Sequence, residues 1–277
     1  MKVRQIALLA ALAALVSTAV ASAGQAGAGV AITQCGQVVQ TNAYLTLHLY
    51  CPGQDAVVVG ASGITIDLRG FTLRGDRTPI HEGIRDNGFD QVTIKNGILR
   101  NFEDGVMAYN GADKVRLSNL LTSGNLFNGL DVAGTSLSVK SSTASGNGSA
   151  GIVVAGDLAK IQSFSASGNH DGIDVFGNSA TIQSSTASGN RGYGIAVVTG
   201  NSDKIQSSTA SGNGSDGIFV AGDAAVIKAN RAEANGFAGG ASDLSGLGID
   251  VTGSAPIGKN VARGNDELAQ CSPALLC

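Results

Sequence analysis

What most limits how this chain can fold is a repeat of about 22 residues that keeps two registers at once. The nonapeptide IQSSTASGN stands unchanged at 182–190 and 205–213, and as IQSFSASGN at 161–169. Aligning its opening apolar residue gives Ile66, Ile94, Leu117, Val139, Ile161, Ile182, Ile205, Ile227 and Ile257, with central spacings of 21 to 23 residues. A second series, glycine followed by an aliphatic residue, keeps step at Gly83, Gly105, Gly129, Gly151, Gly172, Gly194, Gly217 and Gly248. Segments such as GIVVAG, GIDVFG and GIFVAG place aliphatic residues two apart, the period of a strand, and close on a glycine turn. A unit this short cannot bury its own apolar face. The units must therefore stack, Ile on Ile and Val on Val, with backbone N–H groups bonding between layers. The expected fold is an all-β, single-stranded parallel β-helix with capped ends.

The rest of the chain sets boundaries around that solenoid. Lys2 and Arg4, an apolar run from Ile6 to Val16 and the small residues Ala21-Ser22-Ala23 form an export signal, expected over residues 1–23. No later segment approaches the ~18 apolar residues a membrane span needs. The chain carries 40 glycines and no tryptophan, with 43% hydrophobic residues and a net charge of −3, which is neither a disordered nor a helical composition. Without the signal, 16 basic residues face 21 acidic ones, a balance that argues against a nucleic-acid partner. Cys35, Cys51, Cys271 and Cys277 sit in two pairs at the two ends. In a rod with separated ends only Cys35–Cys51 and Cys271–Cys277 can pair, because bridged Cα atoms must lie within ~7 Å. The expected organisation is an N-terminal cap at 24–56, the β-helix at 57–265 and a tail at 266–277. Tyr44 to Cys51 is expected to be the first strand, with Leu45, Leu47 and Leu49 on one side.

The coil pattern I-x-x-[SN]-x-[AL]-x-G-N followed by G-I-x-V, together with the opening ITIDLRGFTLRG, resembles the right-handed parallel β-helix repeat proteins of the pectate-lyase-like superfamily. The likeness extends over about residues 57–265, and it implies a right-handed coil. It also implies a secreted, periplasmic or cell-surface protein that interacts with polysaccharide, either as a polyuronide lyase, hydrolase or epimerase or as a non-enzymatic adhesion or structural solenoid. Motifs of this kind specify the fold and say little about activity.

Candidate site residues are those that break the copy. GNHDGIDVFG resembles a polygalacturonase stretch, so Asp171 and Asp174 are candidates to divide acid and base work, with His170 beside them and Arg85 as a further catalytic group. Residues 67–86 hold the densest set of ionisable groups, and Arg69, Arg74, Arg77 and His81 are candidates to bind sugar carboxylates. Asp131, Asp174 and Asp250 share one strand position and read as solvated surface. Calcium is the candidate ion, although Asp131 and Asp174, ~10 Å apart across two coils, are too far apart to share one without other ligands. Thr143/Ser145, Ser165/Ser167, Thr186/Ser188 and Thr209/Ser211 form an outward hydroxyl lattice like that of ice-binding solenoids. Asn125, Asn147, Asn169, Asn190, Asn213, Asn235 and Asn265 are expected to turn the chain in left-handed backbone and to stack as an amide ladder.

Overall fold

The computed structural model describes residues 29–236, 246–253, 259–266 and 270–272. The expected signal segment, Ile257, most of the 237–247 insertion and Cys277, with the second expected disulfide, lie outside them. The described residues form 29 strands and no helix. Most coils lay one strand on each of three rows. In one central coil these are Lys160–Gln162, Ser165–Ser167 and Asp171–Phe176. All pair in parallel with their equivalents above and below. Rows one and two belong to one sheet because the eight-residue strands Thr93–Arg100 and Arg116–Ser123 run through both. Row three is a separate sheet of 11 strands from Gln37–Val39 to Cys271–Ser272.

The register matches the repeat. Ile66, Ile94, Leu117, Val139, Ile161, Ile182, Ile205 and Ile227 stack directly, and none is more than 1% exposed. Ala144, Ala166, Ala187 and Ala210 point inward on row two, so the flanking Thr and Ser face out.

Two corners turn the nonapeptide. Between rows one and two Ser141, Ser163, Ser184 and Ser207 take φ of 49 to 53°. Between rows two and three the left-handed residue is Gly146, Gly168, Gly189 or Gly212, with φ of 63 to 65°. The asparagine that follows does not turn the chain, contrary to expectation. Its task is hydrogen bonding. Asn190 donates from its N–H and from Nδ2 to Oδ1 of Asn213, at 3.1 and 3.0 Å, and Nδ2 also reaches the carbonyl of Ala166 at 3.3 Å. The pattern runs from Asn125 through Asn265, every member is nearly or fully buried, and Gln270 closes the last step. A buried amide must find partners, and here each finds them in the neighbouring layers.

At the N-terminal end Cys35 and Cys51 are bridged with Cα atoms 5.5 Å apart, closing a separation of 16 residues. A loop of that size stabilises by about 3 kcal/mol in the chain-entropy picture. The stretch ending at Cys51 is two strands, Ala43–Leu45 and Leu49–Tyr50, with Leu47 at 45% exposure on the corner between them. It is not the first strand, since Val30–Ile32 already pairs with Ala43–Leu45.

Candidate functional site

Row three and its edge gather most of the buried carboxyl groups. The row's outward position carries Arg85, Met107, Asp131, Val153, Asp174, Ala196, Phe219 and Asp250 in direct register. Beside it runs the column that begins at Asp55, before Ala56-Val57, and continues through the residue that precedes each Gly-aliphatic pair: Glu82, Asp104, Asn128, Ala150, Asp171, Tyr193 and Asp216. This column forms a second ladder. Asp55 accepts the N–H of Glu82 at 2.7 Å, Glu82 that of Asp104 at 2.8 Å, Asp104 that of Asn128 at 2.5 Å and Asn128 that of Ala150 at 3.0 Å. Asp171 and Asp216 do the same for Tyr193 and Leu247.

Using carboxylates for this task has an electrostatic cost. Glu82 and Asp104 are 3% and 5% exposed. Burial, only partly offset by the amides they accept, pushes Glu82 up to about 7 and Asp104 up to about 8. Both titrate higher in the fold than in the unfolded chain, so the native state holds more protons between the two values, and stability falls as pH rises from about 4 to about 8. The melting temperature is expected to be higher at pH 5 than at pH 8.5, with a smaller difference in Asp104→Asn. Equal pH dependence in the variant would refute the assignment to this ladder.

Asp131 is 7% exposed. Its Oδ2 accepts from the Tyr109 hydroxyl at 2.6 Å and from Asn128 Nδ2 at 2.9 Å. It is therefore not the solvated surface group its strand position suggested. Asp174 departs from that expectation too. Its Oδ1 is buried without a hydrogen-bond partner, and burial, then the charge of Asp171, pushes its carboxyl up to about 7. Asp171 has its partners: Oδ1 takes the Tyr193 N–H at 2.7 Å and Oδ2 lies 2.8 Å from His170 Nδ1. The Tyr193 ring packs against Phe219 at 5.3 Å.

Three of the expected catalytic residues, His170, Asp171 and Asp174, thus come together, and Arg85 does not join them. Four coils, roughly 19 Å, separate Arg85 from Asp174. Arg85 is engaged by Asp55 through Nε at 2.7 Å and Nη2 at 3.0 Å, and by the Ile80 carbonyl. The binding set from residues 67–86 is dispersed, because one coil displays its residues around the whole circumference. Arg69 lies over the Tyr44 ring at 3.5 Å, beyond the end of a row-one strand. Arg74 lies over Tyr50 on row two. Arg77 and His81 sit in the loop between rows two and three, Arg77 at φ 64° and His81 giving its carbonyl to the Glu103 N–H. The ladder acids Asp55, Glu82 and Asp104, together with Tyr109 and Tyr193, join this row without any motif that marks them in the sequence. For Glu82, Asp104 and Tyr193 the signal is their place just before a Gly-aliphatic pair. Among the described residues no three His, Cys, Asp or Glu side chains are grouped to hold a metal ion.

A search of the curated proteins finds no match to this sequence. Among solved structures, the A-module of the Azotobacter vinelandii mannuronan C-5 epimerase AlgE6 superposes with a TM-score of 0.58 at 15% identity, over 82% of this chain and 83% of that one. The AlgE4 A-module gives 0.54 at 16%, over 82% and 84%. Pectate lyase Pel9A gives 0.53 at 16%, over 83% and 71%. At these identities the likeness is one of fold. The family model described as "Right handed beta helix region" matches residues 128–270, just over half of the chain. With its coils stacked in parallel on three rows, the chain belongs to the right-handed β-helix family.

Proposed function

We propose that this protein is exported and acts on a polysaccharide laid along row three, with Asp174 and Asp171 as the reacting pair. The observation that carries the reading is the Asp174 carboxyl, raised to about 7 with one buried oxygen left without a partner, beside an Asp171 held by His170 and the Tyr193 amide. Two neighbouring carboxyls in unlike environments suit acid–base division. In hydrolysis Asp174 would give its proton to the glycosidic oxygen as the bond to carbon breaks, while Asp171 takes a proton from the water that adds to that carbon. Export is supported by the Cys35–Cys51 bridge, which needs an oxidising compartment. The polymer class is supported by the fold likeness to a mannuronan epimerase and a pectate lyase.

The test is product formation from pectate, alginate and glycosaminoglycans, with and without calcium. New reducing ends are expected, with a rate that falls as pH rises through about 7, and Asp174→Asn should reduce it at least about 100-fold. Unsaturated ends or epimerised residues would move the chemistry to elimination or epimerisation. A second reading, a solenoid that only binds, is favoured by the engagement of Arg85 with Asp55. Binding without any product from these polymers would select it.

A further inference from the structure

Row one, the face formed by the Ile-x-x strands, carries a charge pattern that the row-three site does not use. Two outward positions flank each inward Ile. Reading coil by coil, they present Lys95, Arg116, Lys140 and Lys160, then one coil with Thr181 and Gln183, then Lys204 and Lys228. Six of these seven coils carry one cation each, and over the first four it alternates between the two positions. Adjacent coils are ~4.8 Å apart, so the charges trace a zigzag along the stacking axis. Among the described residues the only acid in these positions from Thr65 onward is Asp67, which lies 3.5 Å from Lys95. Among the described residues none of the other five cations is within ion-pair distance of a carboxylate, and all five are exposed. This in a chain of net charge −3 is a segregated cationic lane.

We infer that row one binds an extended acidic polysaccharide along the solenoid axis, its carboxylate or sulfate groups answering this zigzag. The class of partner rests on the polysaccharide reading above, whereas the location does not. Between the cations the lane offers amides and hydroxyls: Gln162, Gln183 and Gln206 stack in one position, and Ser138 and Thr181 in the other. These groups suit sugar hydroxyls. From Thr93 to Lys228 neither position holds an aromatic residue, so the stacking platforms with which proteins hold single-stranded nucleic acid are missing. A cavity of about 410 Å³ at the lane's edge, lined by Arg116, Lys160, Ser138 and Ser179, offers a concave seat for an anionic group.

The experiment measures retention of the purified protein in gels containing polygalacturonate, chondroitin sulfate or neutral dextran, and its affinity for oligo-dT, at several salt concentrations. The wild type should be retarded by one or both acidic polymers and not by dextran, with affinity falling as salt rises. A Lys140→Gln/Lys160→Gln/Lys204→Gln variant should lose about tenfold or more in affinity, and the matching triple Arg variant should keep it. Retention is read without turnover, so a protein that releases no product yet is retarded, with the retardation lost in the Gln variant, separates failure of the row-three reading from failure of this one. No retardation by either acidic polymer, binding unchanged in the Gln variant, equal retention on dextran, or oligo-dT bound more tightly than both acidic polymers would each overturn the proposal.

Discussion

Gly172→Ala is expected to destabilise the protein by about 3 kcal/mol or more, although it adds only one methyl group. Gly172 does not have left-handed backbone. Its constraint is space: a Cβ there would meet the Gly194 carbonyl oxygen at 2.3 Å and the Ala187 Cβ at 2.9 Å. That carbonyl accepts the Ile173 N–H at 3.0 Å, so it cannot retreat without opening the ladder of row three. Gly189 is the useful contrast. It sits at φ 63° with nothing near its missing Cβ, so Gly189→Ala should incur only the conformational penalty, about 1–2 kcal/mol. Chemical denaturation of both variants distinguishes the cases. If the two cost the same, close packing of successive coils is not what holds glycine at position 172.

The second large effect is expected at Asn190. In Asn190→Leu the N–H and Nδ2 of Asn169 lose their shared acceptor, and the Ala166 carbonyl loses a donor, all in a region closed to water. Buried polar groups left unsatisfied cost about 1–3 kcal/mol each, so a loss of about 4 kcal/mol is expected. Asn178→Ala removes comparable bonds on the exposed turn between rows three and one, where Asn178 accepts the Asn201 N–H and donates to Asp157. Water can replace them, and a change within about 1 kcal/mol is expected. Similar losses from the two substitutions would mean that burial does not set the strength of the inner ladder.

These contrasts also mark what could be read from the sequence. The inward Ile row was legible because one residue type recurs at one spacing, and stacking follows from the spacing. The asparagine row was legible as a ladder but not in its backbone role. Gly and Asn share a preference for left-handed turns, and only the folded structure shows that Gly189 turns while Asn190 bonds. Glu82 and Asp104 were hidden for the opposite reason: their column changes residue type from coil to coil, although its task of accepting the next amide persists. Density along the chain misled at residues 67–86, since neighbours in one coil diverge around the circumference while residues about 22 apart touch. Asp171 and Asp174 lie together because they are close both in the chain and on row three.

The inner ladder also bears on how such a chain can change length. A layer whose amide is answered by the same amide above and below makes no demand on any particular neighbour. An in-frame duplication of one central coil would therefore enter the stack with its hydrogen bonds already matched, and only the two terminal layers would need their own chemistry. The number of coils, and with it the length of every surface that runs along the axis, becomes a quantity that inheritance can adjust in whole steps.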